Sequence, residues 1–247
     1  MSQGSHIVLL PGLLCDDAIW SPQIEALGAR HDVFCPEFLD HDTIEAMAVD
    51  VLARAPGTFA LAGHSMGGRV ALEIVRRAPQ RVERLALLDT GYRPAKPGES
   101  EGRGAHIKTA LEEGMQALAR DWLPPMVAAH HTADAALMGR LTAMVARATP
   151  ALFQRQTNAL LTRPDAEPVL TTIWQPTALI VGRLDRWSPL AQHEEMAALI
   201  PDTVLTVIED SGHMCPAEQP AAVSAALIAW MARESRQRPT ERFAVAL

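Results

Sequence analysis

No uninterrupted apolar run in this chain approaches the roughly 20 residues that a membrane span needs, so no membrane partner is expected. Cysteine is scarce. The three present, Cys15, Cys35 and Cys215, are an odd number without metal-ligand spacing, which argues against a disulfide framework and for reduced thiols in the cytoplasm. There is no excess of basic charge: the net charge is −7, which argues against nucleic acid as a partner. Residues 1–6 are polar and have no apolar core, unlike a signal peptide. No repeat or low-complexity tract is visible. What the chain does have is length and apolar content: 247 residues, 48% hydrophobic, are enough for one full core.

Short, nearly continuous apolar runs recur at 7–10, 33–36, 59–62, 85–88, 178–181 and 204–208. Such runs are typical of strands buried on both faces. Segments of helical period lie between them, around 19–27, 43–53, 66–77, 190–200 and 221–232. The alternation predicts an α/β fold with a mostly parallel sheet of about six strands and helices on both faces. From Tyr92 to Trp174 the alternation stops, and helical periodicity dominates at 107–123, 133–146 and 152–161. Pro94, Pro97, Gly98, Gly102 and Gly104 mark the start of this interval, and Pro164, Pro168 and Pro176 mark its end. The reading is a core of 1–91 and 175–234, a helical lid of 92–174, and a charged tail of 235–247. Ligands of open α/β sheets bind at the carboxyl ends of the strands, so the lid is expected to cover the site.

Gly63-His64-Ser65-Met66-Gly67 stands between an apolar run and an amphipathic stretch. Glycines two residues either side of a serine suit a sharp strand-to-helix turn that exposes the hydroxyl at the helix N-terminus. A serine hydroxyl needs a base, and the base needs a group to fix its tautomer. His213 follows the last strand and Asp185 the one before it, so both emerge at the same sheet end as Ser65. Asp89 also ends a strand and is the alternative acid. The backbone N–H groups of Met66 and of Leu13, in the loop after the first strand, are the expected oxyanion donors. Leu14, Trp122 and Phe153 are candidates to touch substrate. From 135 to 163 the only charged residues are Arg140, Arg147, Arg155 and Arg163. Their spacing makes Arg140 and Arg155 candidates for holding an anionic group, against the plainer reading of a solvated face. His130 and His131 have no accompanying ligand pattern, and no metal or cofactor is expected.

Taken together, Pro11-Gly12 through Trp20, Gly63 through Gly68, Leu88-Asp89, Gly182 through Asp185, and Gly212-His213 with Pro216 and Pro220 resemble the α/β-hydrolase superfamily, over nearly the whole chain. The order Ser65, Asp185, His213 is that of the superfamily's triads. The likeness is greatest to small capped carboxylesterases, thioesterases and enol-lactonases. It implies hydrolysis of a small to medium carboxylic ester through an acyl-enzyme, with no cofactor. Thioester, lactone or acyl-carrier-protein ester cleavage, perhydrolase or haloperoxidase chemistry, carbon–carbon bond hydrolysis and a small-molecule receptor are the alternatives. The protein is expected as a monomer or homodimer. Two departures stand out. Pro11-Gly12 occupies the place of a frequent His-Gly, and residues 36–41 replace a glycine-rich turn.

Overall fold

The computed structural model describes residues 5–234, and the predicted tail of 235–247 lies outside that range. Six strands, β1 (His6–Leu10), β2 (Asp32–Phe34), β3 (Phe59–His64), β4 (Val82–Leu88), β5 (Thr177–Gly182) and β6 (Thr203–Ile208), form one sheet in the order β2-β1-β3-β4-β5-β6. Every pairing is parallel. β3 and β5 are buried at every residue, as their unbroken apolar runs require, while the edge strand β6 is half-exposed along much of its length. Helices α1 (Ser21–Gly28), α2 (Ile44–Arg54), α3 (Met66–Arg77), α9 (Leu190–Leu199), α10 (Cys215–Glu218) and α11 (Pro220–Met231) accompany the sheet.

The segment expected as one helix from 19 to 27 is a 3-10 turn, Asp17–Trp20, followed by α1. Asp16 caps the turn by accepting the Ala18 N–H.

Between β4 and β5 the chain forms helices α4 (Glu99–Glu113), α5 (Met115–Trp122), α6 (Ala135–Arg147), α7 (Pro150–Leu161) and the single turn α8 (Glu167–Leu170). One local expectation fails here: the helix expected over 107–123 is broken at Gly114, whose φ of 87° ends α4 and starts α5. Gly102 and Gly104 lie inside α4, where Arg103 pairs with Glu99 one turn earlier at 2.9 Å. Helical pairing and tertiary anchoring outweigh the cost of about 1 kcal/mol per glycine.

Candidate active site

Ser65 sits between β3 and α3 with φ 53°, ψ −114°, a left-handed backbone that a non-glycine residue adopts only when its surroundings impose it. Those surroundings are specific. Ser65 N–H donates to Leu88 O at 2.9 Å, and the Thr90 hydroxyl donates to Ser65 O at 2.6 Å. The flanking glycines permit the turn: a Cβ on Gly63 would strike the Gly67 carbonyl, and one on Gly67 the Leu10 carbonyl.

The loop after β6 brings His213 Nε2 to 2.8 Å from Ser65 Oγ, and its Nδ1 to 2.9 Å from Asp185 Oδ2. A carboxylate only accepts, so the proton belongs on Nδ1 and Nε2 is the free acceptor for the serine hydroxyl. Asp185 Oδ1 is itself fixed by the N–H groups of Trp187 at 2.7 Å and Ser188 at 3.0 Å. Burial would raise the Asp185 carboxyl, but His213 and these N–H groups outweigh it and hold it below its ordinary value. Burial likewise opposes a charged His213. The charge and hydrogen bond of Asp185, with Asp89 and Glu218 behind, overcome that and raise His213 above 6.5.

Asp89 is fully buried, and its oxygens accept from Gly182 N–H at 2.8 Å and Cys215 N–H at 3.3 Å. Burial first, and the Asp185 charge second, push its carboxyl well above the ordinary value. The ring of His213 faces Asp185, while Asp89 braces the end of β5 and the start of α10. His64 lies beneath the elbow and places Nε2 2.8 Å from the His213 carbonyl; burial lowers its pKa to about 3 and keeps it neutral.

A cavity of about 520 Å³ opens at Ser65 between the sheet's carboxyl edge and the cap helices. Leu13, Met66, Trp122, Phe153 and His213 line it. Leu13 N–H donates to no described residue, and Met66, as the first residue of α3, has no intrahelical acceptor. Leu14 is not part of the lining. Its φ is 58°, and its N–H donates to Gln156 Oε1 of α7 at 2.8 Å. The expectation for Arg140 and Arg155 is corrected: both are exposed and outside the cavity. Arg155 bonds instead to Leu39 O at 3.1 Å, and Arg147 pairs with Asp16 at 2.6 Å. Of the four arginines between 135 and 163 only Arg163 lines the cavity, because the even spacing holds along one helix and the chain turns between α6 and α7.

Sequence reasoning missed Glu218. Its Oε1 accepts from Gly212 N–H at 2.9 Å and Met214 N–H at 3.1 Å, either side of His213, and its Oε2 accepts from Ala128 N–H at 2.7 Å. His131 Nδ1 lies 2.8 Å from the same Oε2, so this histidine has a structural partner. Among the described residues no cluster of three or more His, Cys, Asp or Glu is placed to hold a metal. Glu218→Gln turns an amide NH2 toward donors that need an acceptor and is expected to cost about 2–4 kcal/mol. Urea unfolding measures it; a loss under about 1 kcal/mol would show that water replaces the carboxylate in this clamp.

Residues 7–226 match the Alpha/beta hydrolase family, and the chain belongs to that family. It is 30% identical over 226 residues to the pimeloyl-[acyl-carrier protein] methyl ester esterase of Aromatoleum aromaticum, covering 84% of this chain and 90% of that protein. It matches the polyketide synthase ThaQ of Burkholderia thailandensis at 28% identity over 236 residues, 85% of this chain but only 11% of that much longer protein. Among solved structures, a thermophilic esterase from Thermogutta terrifontis, in malate-bound form, superposes with a TM-score of 0.83 at 29% identity, covering 93% of this chain and 90% of that one. None of the described helices is long and apolar enough to cross a membrane.

Proposed function

We propose that this protein is a serine hydrolase of carboxylic esters with small to medium acyl groups. The observation that carries it is the unbroken relay Asp185–His213–Ser65, at 2.9 and 2.8 Å, opening into a cavity of about 520 Å³. Ser65 attacks the carbonyl as His213 Nε2 takes its proton, and the oxyanion forms between the Leu13 and Met66 N–H groups. The imidazolium, stabilised by Asp185, returns the proton to the departing alcohol. Water enters, His213 deprotonates it, and the acyl-enzyme is hydrolysed. Thioesters fit the same machinery, and an acyl-carrier-protein ester would be a specialised substrate of it. The free Cys15, Cys35 and Cys215 suit a reducing cytoplasm.

The test is steady-state hydrolysis of a chain-length series of p-nitrophenyl esters and acyl thioesters, repeated across pH. Sustained turnover is expected with an optimum at short to medium chains, in keeping with the cavity's volume. His213 must be neutral to act as base, so kcat/KM rises as it deprotonates, and the half-maximal point lies above pH 6.5. Labelling of the protein by a fluorophosphonate without turnover of any ester would sink the substrate class. An acid limb centred below pH 6 would contradict the His213–Asp185 coupling.

A further inference from the structure

The wall of the cavity beyond Ser65 is strongly basic in a chain of net charge −7. Arg69, Arg93, Lys96, Arg103 and Arg163 all line it, and Glu99 is the one acid among the lining residues. That carboxylate is already committed. Arg163 binds it through two nitrogens, each at 2.8 Å, and Arg103 binds it at 2.9 and 3.0 Å. Burial opposes its charge, yet these guanidinium groups lower Glu99 to about 2. Arg93 is paired outside the lining, with Glu195 at 3.1 Å.

Two cations remain without a carboxylate among the described residues. Arg69 Nη1 donates to the Arg93 carbonyl at 2.8 Å, a neutral acceptor, and Lys96 stands at the exposed rim. Arg69 is half-buried. Burial, with Arg163 and Arg103 adding to it and Glu99 opposing, pulls it down to about 9, so the guanidinium still carries its charge at neutral pH. Proteins seldom bury a guanidinium without an anion. Arg69 is also placed for substrate. It follows Ser65 by four residues, about 6 Å along the same face of α3, while Trp122, Phe153 and Leu160 supply apolar walls to the same space.

We infer that the cavity selects an anionic substrate: an ester whose acyl or alcohol part ends in a carboxylate that sits on Arg69, with Lys96 contributing from the rim. The planar fork of an arginine suits a carboxylate in two parallel hydrogen bonds. This inference rests on the ester-hydrolase reading for its chemistry, but not for its binding site.

The experiment compares kcat/KM for monomethyl glutarate and monomethyl adipate with their terminal amides, isosteric and neutral. A second arm compares butyryloxyacetate with butyryloxyacetamide, which places the anion on the leaving-group side. In one arm the wild type is expected to prefer the anion about 30-fold or more, as charge-assisted hydrogen bonds allow. Arg69→Met should collapse that ratio to within about threefold, and Lys96→Met, which removes no described side-chain partner, should lower it several-fold. A wild-type ratio near one in both arms, or equal losses on anion and amide in both variants, overturns the inference and leaves the esterase intact. Calorimetry with glutarate on Ser65→Ala covers the opposite case. Binding lost in the Ser65→Ala/Arg69→Met protein supports the anion site even where no ester turns over, and absence of binding to Ser65→Ala refutes it.

Discussion

Ser65→Ala is expected to lower kcat for a p-nitrophenyl ester by about 10⁶-fold, the loss typical when the nucleophile of such a unit is removed. What survives is the part of catalysis that needs no nucleophile, the two N–H groups and the shaped cavity, worth about 10³–10⁴ over water. The fold should not suffer. Ser65 Oγ is 2.8 Å from His213 Nε2, while the turn itself is held by backbone groups and by Thr90. A melting curve and a sensitive hydrolysis assay on the same sample check both statements. Residual activity above about one per cent in a folded mutant would mean that another group attacks the carbonyl.

Asp185→Asn should cost about 10⁴-fold in kcat, whereas Asp89→Asn should leave it within about fivefold. An amide at 185 cannot stabilise the imidazolium and offers His213 Nδ1 a donor or an acceptor with equal ease, so the tautomer that frees Nε2 is no longer enforced. Position 89 is different. Its carboxyl is driven by burial toward the protonated form and serves two backbone N–H groups, Gly182 and Cys215, for which an amide oxygen can substitute. The pair of mutants, assayed side by side, decides which aspartate orients the base. A loss at Asp89→Asn as large as that at Asp185→Asn would give it to Asp89.

The succession of strands along the chain and the elbow were legible because local patterns carry them. Buried parallel strands are continuous apolar runs, and only glycine fits where the elbow presses against Leu10 and Gly67. The three strand-end residues Ser65, Asp185 and His213 could be brought together on paper because parallel strands share one carboxyl edge. Asp185 is the first choice of acid in the sequence and Asp89 the alternative; both follow strands and both are buried, and the 2.9 Å contact of Asp185 with His213 is what separates them. In the cap the pattern misled. Periodicity places residues on a face of one helix but says nothing of how four helices fold over, so Arg140 and Arg155 were grouped with a cavity they do not reach. Of the cations that do line it, Arg69, Arg93, Lys96 and Arg103 are scattered over α3, the loop after β4 and the start of α4, with no spacing to betray them. Gln156 and Glu218 were invisible for a simpler reason: each acts by accepting from backbone N–H groups, and backbone leaves no trace in a residue pattern.

Those two acceptors join the segment between β4 and β5 to the loops that carry Leu13 and His213. Gln156 of α7 grips the loop that presents the Leu13 N–H, and Glu218 grips both the cap backbone at Ala128 and the loop that carries His213, whose own N–H donates to Met126 O at 2.7 Å. The segment between β4 and β5 is thus an outer scaffold for the loop of Leu13 and the loop of His213. A graft that exchanged residues 92–174 for the lid of another hydrolase, to import its substrate range, would inherit a pocket and lose the alignment beneath it unless acceptors equivalent to Gln156 and Met126, and a donor equivalent to the Ala128 N–H, came with the graft.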